Sequence, residues 1–383
     1  MRKIKTSLLL AIFIPVILFS QTNNLPDGDV NIINASVATV SGKDSLFSND
    51  KNQRLDNPSD TRLESLSLGK VKLDNFKNDS YNYRYYLPYS AISALEISAL
   101  SFNPKAKITV LEPSNIKGSL KERTALIKVT SQDGSNTKTY SVVFEILPKL
   151  DIFLALGQSN MAGRGKMTSA DTTAIENVYL LTPGGNLEIA SNPLNKYSSI
   201  RKALAMQQMS PSCSFVKMIR DRTGHKIGLM QNARGGSAIE SWTKGNPDKY
   251  YDEALRRALE IQKFGEIKGI IWHQGESNMR DPEGYKAKLA KLVRDLRTDL
   301  ALPHLFFVAG EINQWSGGTA GFNAMIQTIS KFISQSDWVS SEGLTPLIDE
   351  KDPHFNAASL KILGERYAEK VLKQVYKISP KTK

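Results

Sequence analysis

Residues 152–163 read IFLALGQSNMAG, an apolar run that ends abruptly in small and polar residues. Residues 267–278, IKGIIWHQGESN, repeat this pattern with one lysine inside the apolar run. Continuous apolar runs are typical of strands that are buried on both faces of a parallel sheet. Open α/β sheets form their sites where neighbouring parallel strands end. The two segments therefore predict a parallel sheet whose functional site lies at the ends of these two strands.

The chain from residue 149 to residue 383 alternates strand and helix patterns. Such alternation is typical of a parallel sheet with helices on both faces, so we predict an α/β domain over 149–383. The predicted strands are 151–156, 226–231, 267–272 and 304–309, and the predicted helices are 215–221, 253–264, 285–296, 322–334 and 357–375.

The first twenty residues have the pattern of a secretory signal peptide. Three basic residues lie within the first five positions, residues 8–19 are mostly apolar, and Ser20 ends the predicted peptide. The apolar core is too short to span a membrane, and no later stretch is long enough, although an uncleaved N-terminal anchor is the competing interpretation. The single cysteine, Cys213, has no partner for an internal disulfide. An exported chain of this kind favours a bacterial periplasm or the cell exterior.

The residues between the signal and the α/β domain form two regions. Residues 21–62 are rich in Asn, Asp and Ser and predict a linker with one strand at 30–40. Residues 63–148 predict a small all-β sandwich, because short alternating strands are separated by turn signals. Segment 129–144, VTSQDGSNTKTYSVVF, resembles the last hairpin of cadherin-like β-sandwich domains in bacterial surface proteins. The predicted strands are 81–87, 107–111, 125–129 and 139–147, with one helix at 91–100.

The charge of the chain does not indicate a nucleic-acid partner. The formal net charge is +12 at pH 7, but the lysines are scattered along the sequence. Nucleic-acid-binding proteins usually carry a clustered basic patch, and aromatic residues interleave with it in single-strand binders. We therefore interpret most of this charge as solvated surface.

Ser159 is the candidate nucleophile, since it directly follows the first predicted strand. A serine hydroxyl needs an adjacent base, and a third group must orient that base. His354 is the preferred base, because it lies in a loop before the last helix with Asp352 close by in the sequence. His273 is the alternative base, since it also ends a strand. The other two histidines are predicted to lie at the surface (His225) and to pack at the start of a strand (His304).

A serine esterase also needs hydrogen-bond donors for the oxyanion that forms on the ester carbonyl. The backbone N–H of Ser159 is one candidate, and the tight turn at Gly235 and Gly236 supplies others. Gln274 offers a side-chain amide at the end of the third strand. These donors and the serine all follow predicted strands, so their combination favours acyl transfer over a set of ordinary loop residues.

Four segments in this order resemble the conserved blocks of the SGNH hydrolase superfamily. They are similar, more narrowly, to its sialate O-acetylesterase and acetylxylan esterase branch. The resemblance implies a flavodoxin-like three-layer α/β/α fold and the hydrolysis of acetyl esters on sugars without a metal or other cofactor. The four segments are 157–161 (GQSNM), 235–242 (GGSAIESW), 273–276 (HQGE) and 354–355 (HF).

The resemblance also implies a role for individual residues. Ser159 would be the nucleophile and His354 the base. The implied oxyanion donors are the Ser159 N–H, Gly235 or Gly236, and Gln274, and the supporting residues are Asn160 and Glu276.

The catalytic acid departs from the pattern of the superfamily. Its aspartate usually lies three residues before the histidine, where this chain has Lys351. Asp352 lies two residues before His354, and Asp349 lies five before it. Asp352 is the first choice. The alternatives are Asp349, Glu276, or a pair of serine and histidine alone with a backbone carbonyl that orients the imidazole.

The sequence therefore predicts a secreted serine esterase that removes O-acetyl groups from carbohydrate. Acetylated xylan or a related poly- or oligosaccharide is the first choice of substrate, and acetylated sialic acid is the alternative. A non-catalytic carbohydrate-binding protein with a degenerate site is the alternative of another class. Trp242, Trp315 and Arg164 are candidates for lining a sugar site. No cofactor, metal, nucleic-acid partner or membrane span after signal cleavage is expected.

Overall fold

The structure is a computed structural model, and it describes residues 57–379. The predicted signal peptide at 1–20, the strand at 30–40 and most of the linker at 21–62 lie outside the described residues. No helix within the described part of the chain is long and apolar enough to cross a membrane.

Within residues 57–148, the strands are arranged in two sheets. One sheet has three strands in the order β2-β1-β4, and the other has four in the order β3-β7-β6-β5. Buried side chains from both sheets form one hydrophobic cluster. The strands are β1 (Leu63–Leu68), β2 (Val71–Lys72), β3 (Asn82–Leu87), β4 (Ile97–Ser101), β5 (Lys107–Leu111), β6 (Thr124–Thr130) and β7 (Thr137–Ile146).

The hairpin at 129–144 forms as its sequence indicates. Strands β6 and β7 pair antiparallel in continuous register from Thr124↔Val143 to Thr130↔Thr137. Gly134 has a positive φ of 73° in the connecting turn, a conformation that glycine adopts without steric cost. Along β6, alternate residues are buried, which places one face of the hairpin in the core.

The predicted helix at 91–100 is wrong. Residues 97–101 form strand β4, which pairs antiparallel with β1 through contacts such as Ile97↔Leu68. Ile97 is buried in this pairing. The alanines and leucines of the segment favour a helix locally, but cross-strand pairing and burial override that preference.

The region from residue 150 onward is an α/β unit, as predicted. Its elements, in chain order, are β8 (Leu150–Gly157), α1 (Ser159–Ala162), β9 (Val178–Leu181), β10 (Leu187–Ile189), α2 (Ser212–Thr223), β11 (Ile227–Ala233), α3 (Tyr250–Gln262), β12 (Gly265–His273), α4 (Pro282–Asp299), β13 (Phe306–Gly310), α5 (Thr319–Gln327), β14 (Ser336–Val339) and α6 (Ala357–Gln374).

The seven strands of this unit form one sheet in the order β10-β9-β11-β8-β12-β13-β14. All neighbours are parallel except β10, which pairs antiparallel with β9. Five neighbouring strands of this sheet, β11-β8-β12-β13-β14, follow the order 2-1-3-4-5 of flavodoxin-like sheets when they are renumbered along the chain. This order places β8 at the centre of the sheet, with β11 on one side and β12 on the other.

Strand β8 shows how the layers form. Leu154 packs into one hydrophobic cluster, which includes residues of α3 and α4. Its neighbour Phe153 packs into a second cluster, which includes residues of α2 and α6. Successive side chains of a strand point to opposite faces of the sheet, so helices cover both faces of β8.

Some elements differ from their predicted extents. The helix predicted at 322–334 covers only Thr319–Gln327, and a separate 3₁₀ turn, Ile329–Lys331, follows it. Strands β9, β10 and β14 were not predicted. Strand β14 is an edge strand that is only partly buried, so it lacks the continuous apolar run that marks β8.

Candidate active site

The turn that carries Ser159 is fixed by the close approach of two strands. Gly157, the last residue of β8, has a φ of 140°, and a Cβ there would lie 2.1 Å from the carbonyl oxygen of His273 on β12. Only glycine fits this position. The chain then turns into the short helix α1, where Ser159 is the first residue and is 6% exposed.

Asp352 contacts His354 directly. Its Oδ1 lies 2.6 Å from Nδ1 of His354 and also accepts the backbone N–H of His354 at 3.0 Å. One carboxylate oxygen therefore fixes both the backbone and the ring of the histidine. A proton on Nδ1 that is donated to Asp352 leaves Nε2 free to accept another. The spacing of two residues is thus compatible with a carboxylate–imidazole pair.

The other candidates for the acid do not contact the imidazole. Asp349 accepts the backbone N–H of Lys351 at 2.8 Å, within its own loop. Glu276 accepts a hydrogen bond from Asn160 at 2.6 Å. Within the described residues, Asp352 is the carboxylate that pairs with His354.

Burial lowers the pKa of His354 below its usual range. The carboxylate of Asp352 opposes this shift, and the positive charge of Arg164 reinforces it. The lowered pKa keeps the imidazole neutral near pH 7. A neutral imidazole is the form that can accept a proton from a serine.

Asn160 joins the serine turn to the histidine loop. Its Nδ2 donates to Oε1 of Glu276 at 2.6 Å and to the carbonyl oxygen of Pro353 at 3.2 Å. Its Oδ1 accepts the backbone N–H of Phe355 at 3.1 Å. The residue after Ser159 therefore holds both chain neighbours of His354.

The Ser159 hydroxyl itself forms no hydrogen bond to another residue within 57–379. The structure thus links the turn of Ser159 to the loop of His354 through Asn160, and it shows no hydrogen bond between the two side chains. Hydrogen bonds of catalytic groups are often long in ligand-free sites and tighten when substrate binds.

Glu276 is a half-buried residue whose carboxyl group is itself buried. Burial raises the pKa of this carboxyl above its usual range, and the hydrogen bond from Asn160 opposes the shift. Its Oε2 is buried and has no hydrogen-bond partner among the described residues. One carboxyl oxygen of Glu276 thus accepts the hydrogen bond from Asn160, and the other accepts none from the described residues.

The turn after β11 lies against the serine. A Cβ on Gly235 would lie at ordinary contact distance, 3.6 Å, from Cβ of Ser159, and 2.5 Å from Nη2 at the movable end of the Arg164 side chain, so Gly235 lies directly beside the serine. Gly236 has a φ of 74°, which also favours glycine. The backbone N–H of Arg234 donates to the carbonyl oxygen of Gly157 at 3.0 Å and fixes the turn to β8.

Three backbone donors meet at this edge of the sheet. The N–H groups of Gly235 and Gly236 donate to no backbone carbonyl of the described chain. The N–H of Ser159 begins a helix and has no acceptor inside it. The two candidate sources of oxyanion donors, the serine and the glycine turn, therefore lie side by side.

Gln274 occupies a different place from the one predicted. The residue is fully buried, and its Nε2 lies 3.0–3.1 Å from Oε1 of Gln158, the carbonyl oxygen of Ser237 and Oδ1 of Asn278. An amide nitrogen has two hydrogens, and three protein acceptors already face them. Gln274 braces the loops around the site, and no donor of its side chain is left for an oxyanion.

The alternative base, His273, is a core residue. It is fully buried, its Nδ1 lies 3.1 Å from the hydroxyl of Tyr367, and burial lowers its pKa to about 3. His225 is exposed as predicted and lies 2.6 Å from Oδ2 of Asp151. The prediction that His304 packs at the start of a strand is wrong, because it is exposed in the turn before β13.

The candidate sugar-lining residues separate into two groups. Trp242 is 1% exposed and donates its indole N–H to Oγ of Ser237, so it belongs to the core. Trp315 is half-buried and donates its indole N–H to the carbonyl oxygen of Asp352 at 2.9 Å. Arg164 donates to the carbonyl oxygens of Gly163 and Met206. The sequence did not indicate that Trp315 contacts the loop that carries Asp352.

The described residues contain no group of three or more His, Cys, Asp or Glu side chains that could hold a metal ion. The groups assembled at the site are a serine, an imidazole paired with a carboxylate, and backbone donors. This set matches the requirements for acyl transfer through a serine.

The chain is similar to known carbohydrate esterases. The family model described as carbohydrate esterase, sialic acid-specific acetylesterase, matches residues 149–373. A probable carbohydrate esterase from Arabidopsis thaliana is 31% identical over 180 residues, which cover 42% of this chain and 67% of the plant protein. An X-ray structure of that plant protein has a TM-score of 0.54 at 26% identity and covers 60% of this chain and 100% of the plant chain. The structure of a carbohydrate acetylesterase from Xanthomonas citri has a TM-score of 0.45 at 17% identity and covers 84% of this chain and 70% of the bacterial chain.

Proposed function

Because the chain belongs to the sialic acid-specific acetylesterase family of carbohydrate esterases, we propose that it is a serine esterase that removes O-acetyl groups from carbohydrate. The observation that carries the proposal is the 2.6 Å contact between Asp352 and His354 in a loop that Asn160 ties to Ser159. The membership agrees with the resemblance to the acetylesterase branch of the SGNH hydrolases.

The first half of the reaction transfers the acetyl group to the serine. His354 takes the proton of the Ser159 hydroxyl on Nε2, and the serine oxygen attacks the acetyl carbonyl. The negative charge on the carbonyl oxygen is stabilised by the N–H of Ser159 and by an N–H of the turn at Gly235 and Gly236. The ester C–O bond then breaks, and His354 gives the proton to the sugar oxygen that leaves.

The second half releases acetate. A water molecule loses a proton to His354 and attacks the acetyl carbonyl on Ser159. The second tetrahedral intermediate collapses, the serine oxygen recovers the proton from His354, and acetate leaves. In both halves Asp352 stabilises the transient positive charge on the imidazole and holds its tautomer.

Acetylated xylan or a related polysaccharide is the proposed substrate. The family description supports acetylated sialic acid as the alternative. A non-catalytic binding protein with a degenerate site is less well supported, since the displaced aspartate still pairs with His354.

The remaining expectations concern the rest of the chain. We propose that residues 1–20 direct export to a bacterial periplasm or the exterior. We propose further that residues 63–148 form an accessory β-sandwich domain that braces the domain at 149–383. Support for bracing comes from an edge-on contact between Tyr86 and Tyr179, with ring centres 5.1 Å apart.

The experiment that tests the function is release of acetate from acetylated xylan and from acetylated sialic acid. The wild type is compared with Ser159→Ala and with Ser169→Ala, a matched change at an exposed serine outside the site. We expect release by the wild type and by Ser169→Ala and none above background by Ser159→Ala. Equal release by all three proteins would refute the serine mechanism, and no release by the wild type from any ester would favour the binding protein.

A further inference from the structure

An open cleft of about 500 Å³ lies beside the histidine loop. This volume is typical of small-molecule sites, which span ~300–1,000 Å³. Its walls come from the loops after β12, β13 and β14, at the carboxyl ends of these parallel strands, where ligands of α/β sheets bind. Residues that line the cleft include Glu276, Asn313, Trp315, Glu350, Lys351 and Pro353.

A larger cavity, of about 620 Å³, lies elsewhere. It is lined by residues such as Arg297 and Phe332, which precede β13 and β14 and so lie at the opposite ends of these strands. Arg297 already donates to the carbonyl oxygens of Leu305 and Ser334. Its place at the opposite end of the sheet from the reacting groups leaves this cavity without a role in the reaction.

The cleft adjoins the reacting groups on the side of the base. Pro353 directly precedes His354. Glu276 accepts a hydrogen bond from the side chain of Asn160, the residue that follows Ser159. In the proposed mechanism His354 gives its proton to the sugar oxygen that leaves. The sugar ring that carries this oxygen must therefore lie on the side of His354, which is the side of the cleft.

The tryptophan of the cleft is held in place. The indole N–H of Trp315 donates to the carbonyl oxygen of Asp352 at 2.9 Å, and its ring meets that of Phe355 at 5.3 Å and 87°. An ordered aromatic ring presents apolar surface on which the C–H face of a sugar packs, with little further loss of side-chain entropy.

The polar groups of the cleft suit a sugar without charge. Oε2 of Glu276 is buried and lacks a partner, and a buried polar atom of this kind is normally satisfied by a hydrogen bond. A sugar hydroxyl can donate that bond or accept it. Glu350 and Lys351 are exposed and carry opposite charges, so they add no net charge to the cleft.

We propose that this cleft binds the leaving sugar as a neutral pyranose, with its ring packed on Trp315 and one hydroxyl bonded to Glu276. The assignment rests on the proposed esterase function and adds the substrate class and the residues that select it. The charged residues that line the cleft are two glutamates, Glu276 and Glu350, and one lysine, Lys351, so the lining offers no excess of positive charge to a sugar that bears a carboxylate.

The test compares a sugar ester with an ester that has no sugar. For each protein, kcat/KM is measured on acetylated xylo-oligosaccharide and on 4-nitrophenyl acetate, and the ratio of the two is the readout. The variant is Trp315→Ala, and Trp338→Ala is the matched control, since Trp338 is a half-buried tryptophan on β14 outside the cleft. We expect the ratio to fall about tenfold in Trp315→Ala, as for loss of a stacking contact, and to stay unchanged in Trp338→Ala.

A second measurement needs no sugar ester to be cleaved. Deacetylated xylo-oligosaccharide and oligogalacturonate are tested as competitive inhibitors of 4-nitrophenyl acetate hydrolysis. We expect the neutral oligosaccharide to inhibit the wild type, with an inhibition constant about tenfold weaker in Trp315→Ala.

Two results would overturn the assignment. An unchanged ratio in Trp315→Ala, with both esters slowed alike, means that Trp315 acts only by holding Asp352. Tighter inhibition by oligogalacturonate than by the neutral sugar means that the cleft selects an acidic substrate. Failure of the esterase function would instead show as unchanged activity in Ser159→Ala.

Discussion

The side-chain oxygen of Asn160 accepts a hydrogen bond from the backbone N–H of Phe355 at 3.1 Å, although the two residues lie 195 positions apart. The same side chain donates to Pro353 on the other side of His354. One asparagine in α1, directly after Ser159, thus links the serine to the loop that carries the imidazole. Precise placement of a base is worth large factors in rate, since small displacements weaken proton transfer.

We predict that Asn160→Ala lowers both activity and stability. The change removes three hydrogen bonds and leaves buried partners unsatisfied, at a cost of about 1–3 kcal/mol in the free energy of unfolding. We expect kcat on an aryl acetate to fall by about 10- to 100-fold because the loop of His354 is released. Asn82→Ala, at an exposed position on β3, is the control. A kcat equal to the wild type would show that the loop is held by other contacts.

We predict that Asp352→Asn lowers kcat by on the order of 10²–10⁴, because the amide no longer stabilises the imidazolium or its tautomer. Asp349→Asn is the matched control and should change kcat less than about threefold, the scale of surface substitutions. Steady-state kinetics on an aryl acetate check both. A large loss in Asp349→Asn alone would assign the acid to Asp349.

The pH profile of kcat/KM follows the pKa of His354. The neutral imidazole is active, and burial lowers its pKa from the usual value of 6.5. Activity should therefore rise with pH and reach half its maximum below pH 6.5. The positive charge of Arg164 contributes to this shift, so Arg164→Gln should move the midpoint to higher pH, and Asp352→Asn should move it to lower pH. A midpoint that neither variant moves would exclude His354 as the titrating group.

The buried carboxyl of Glu276 predicts a pH-dependent stability. Its pKa is raised above 4.5 in the folded state, so the group favours folding below pH 4.5. This stabilisation is lost as the pH rises toward the folded pKa, because the buried carboxylate must then ionise. Glu276→Gln keeps an acceptor for Asn160 and should raise the melting temperature at pH 8 more than at pH 4.

Thermal unfolding at the two pH values checks this difference. Glu283→Gln is the control, since the Glu283 side chain is 82% exposed and its carboxylate therefore stays in water when the protein folds. At pH 8 we expect the melting temperature of Glu276→Gln to rise by about 2–4 °C for each kcal/mol gained in the free energy of unfolding, the relation for domains of 150–250 residues. An equal effect of Glu276→Gln at both pH values would mean that the carboxyl does not titrate abnormally.

The centre of the sheet was predictable from the sequence because it is buried on both faces. The apolar run at 152–156 has no polar residue, and each of its side chains is fully buried in β8. The edge strand Ser336–Val339 gave no such signal, since it begins with two polar residues and its first three residues are only partly buried. The helix expected at 91–100 failed for a related reason, because pairing with β1 is a long-range contact that local propensity does not contain.

The site was predictable in its residue types and less so in its contacts. The sequence placed Ser159 and the glycine turn at strand ends and His354 in the loop before the last helix, at the edge of the sheet where these segments meet. The conformation of the loop before α6 decides whether Asp352 reaches His354, and spacing alone does not determine it. The three acceptors around Gln274 come from different loops of the site. The sequence therefore suggested a side-chain amide that is free to bind the oxyanion, whereas in the structure this amide holds those loops together.

Labelling with a fluorophosphonate would show whether Ser159 is the nucleophile. Such reagents react with activated serines, and peptide mass analysis locates the label while residual aryl acetate hydrolysis is followed in the same samples. We expect one label per chain, on Ser159, with activity lost in proportion to labelling and no labelling in Ser159→Ala. Full activity after complete labelling of Ser159, or loss of activity with the label on another residue, would contradict it.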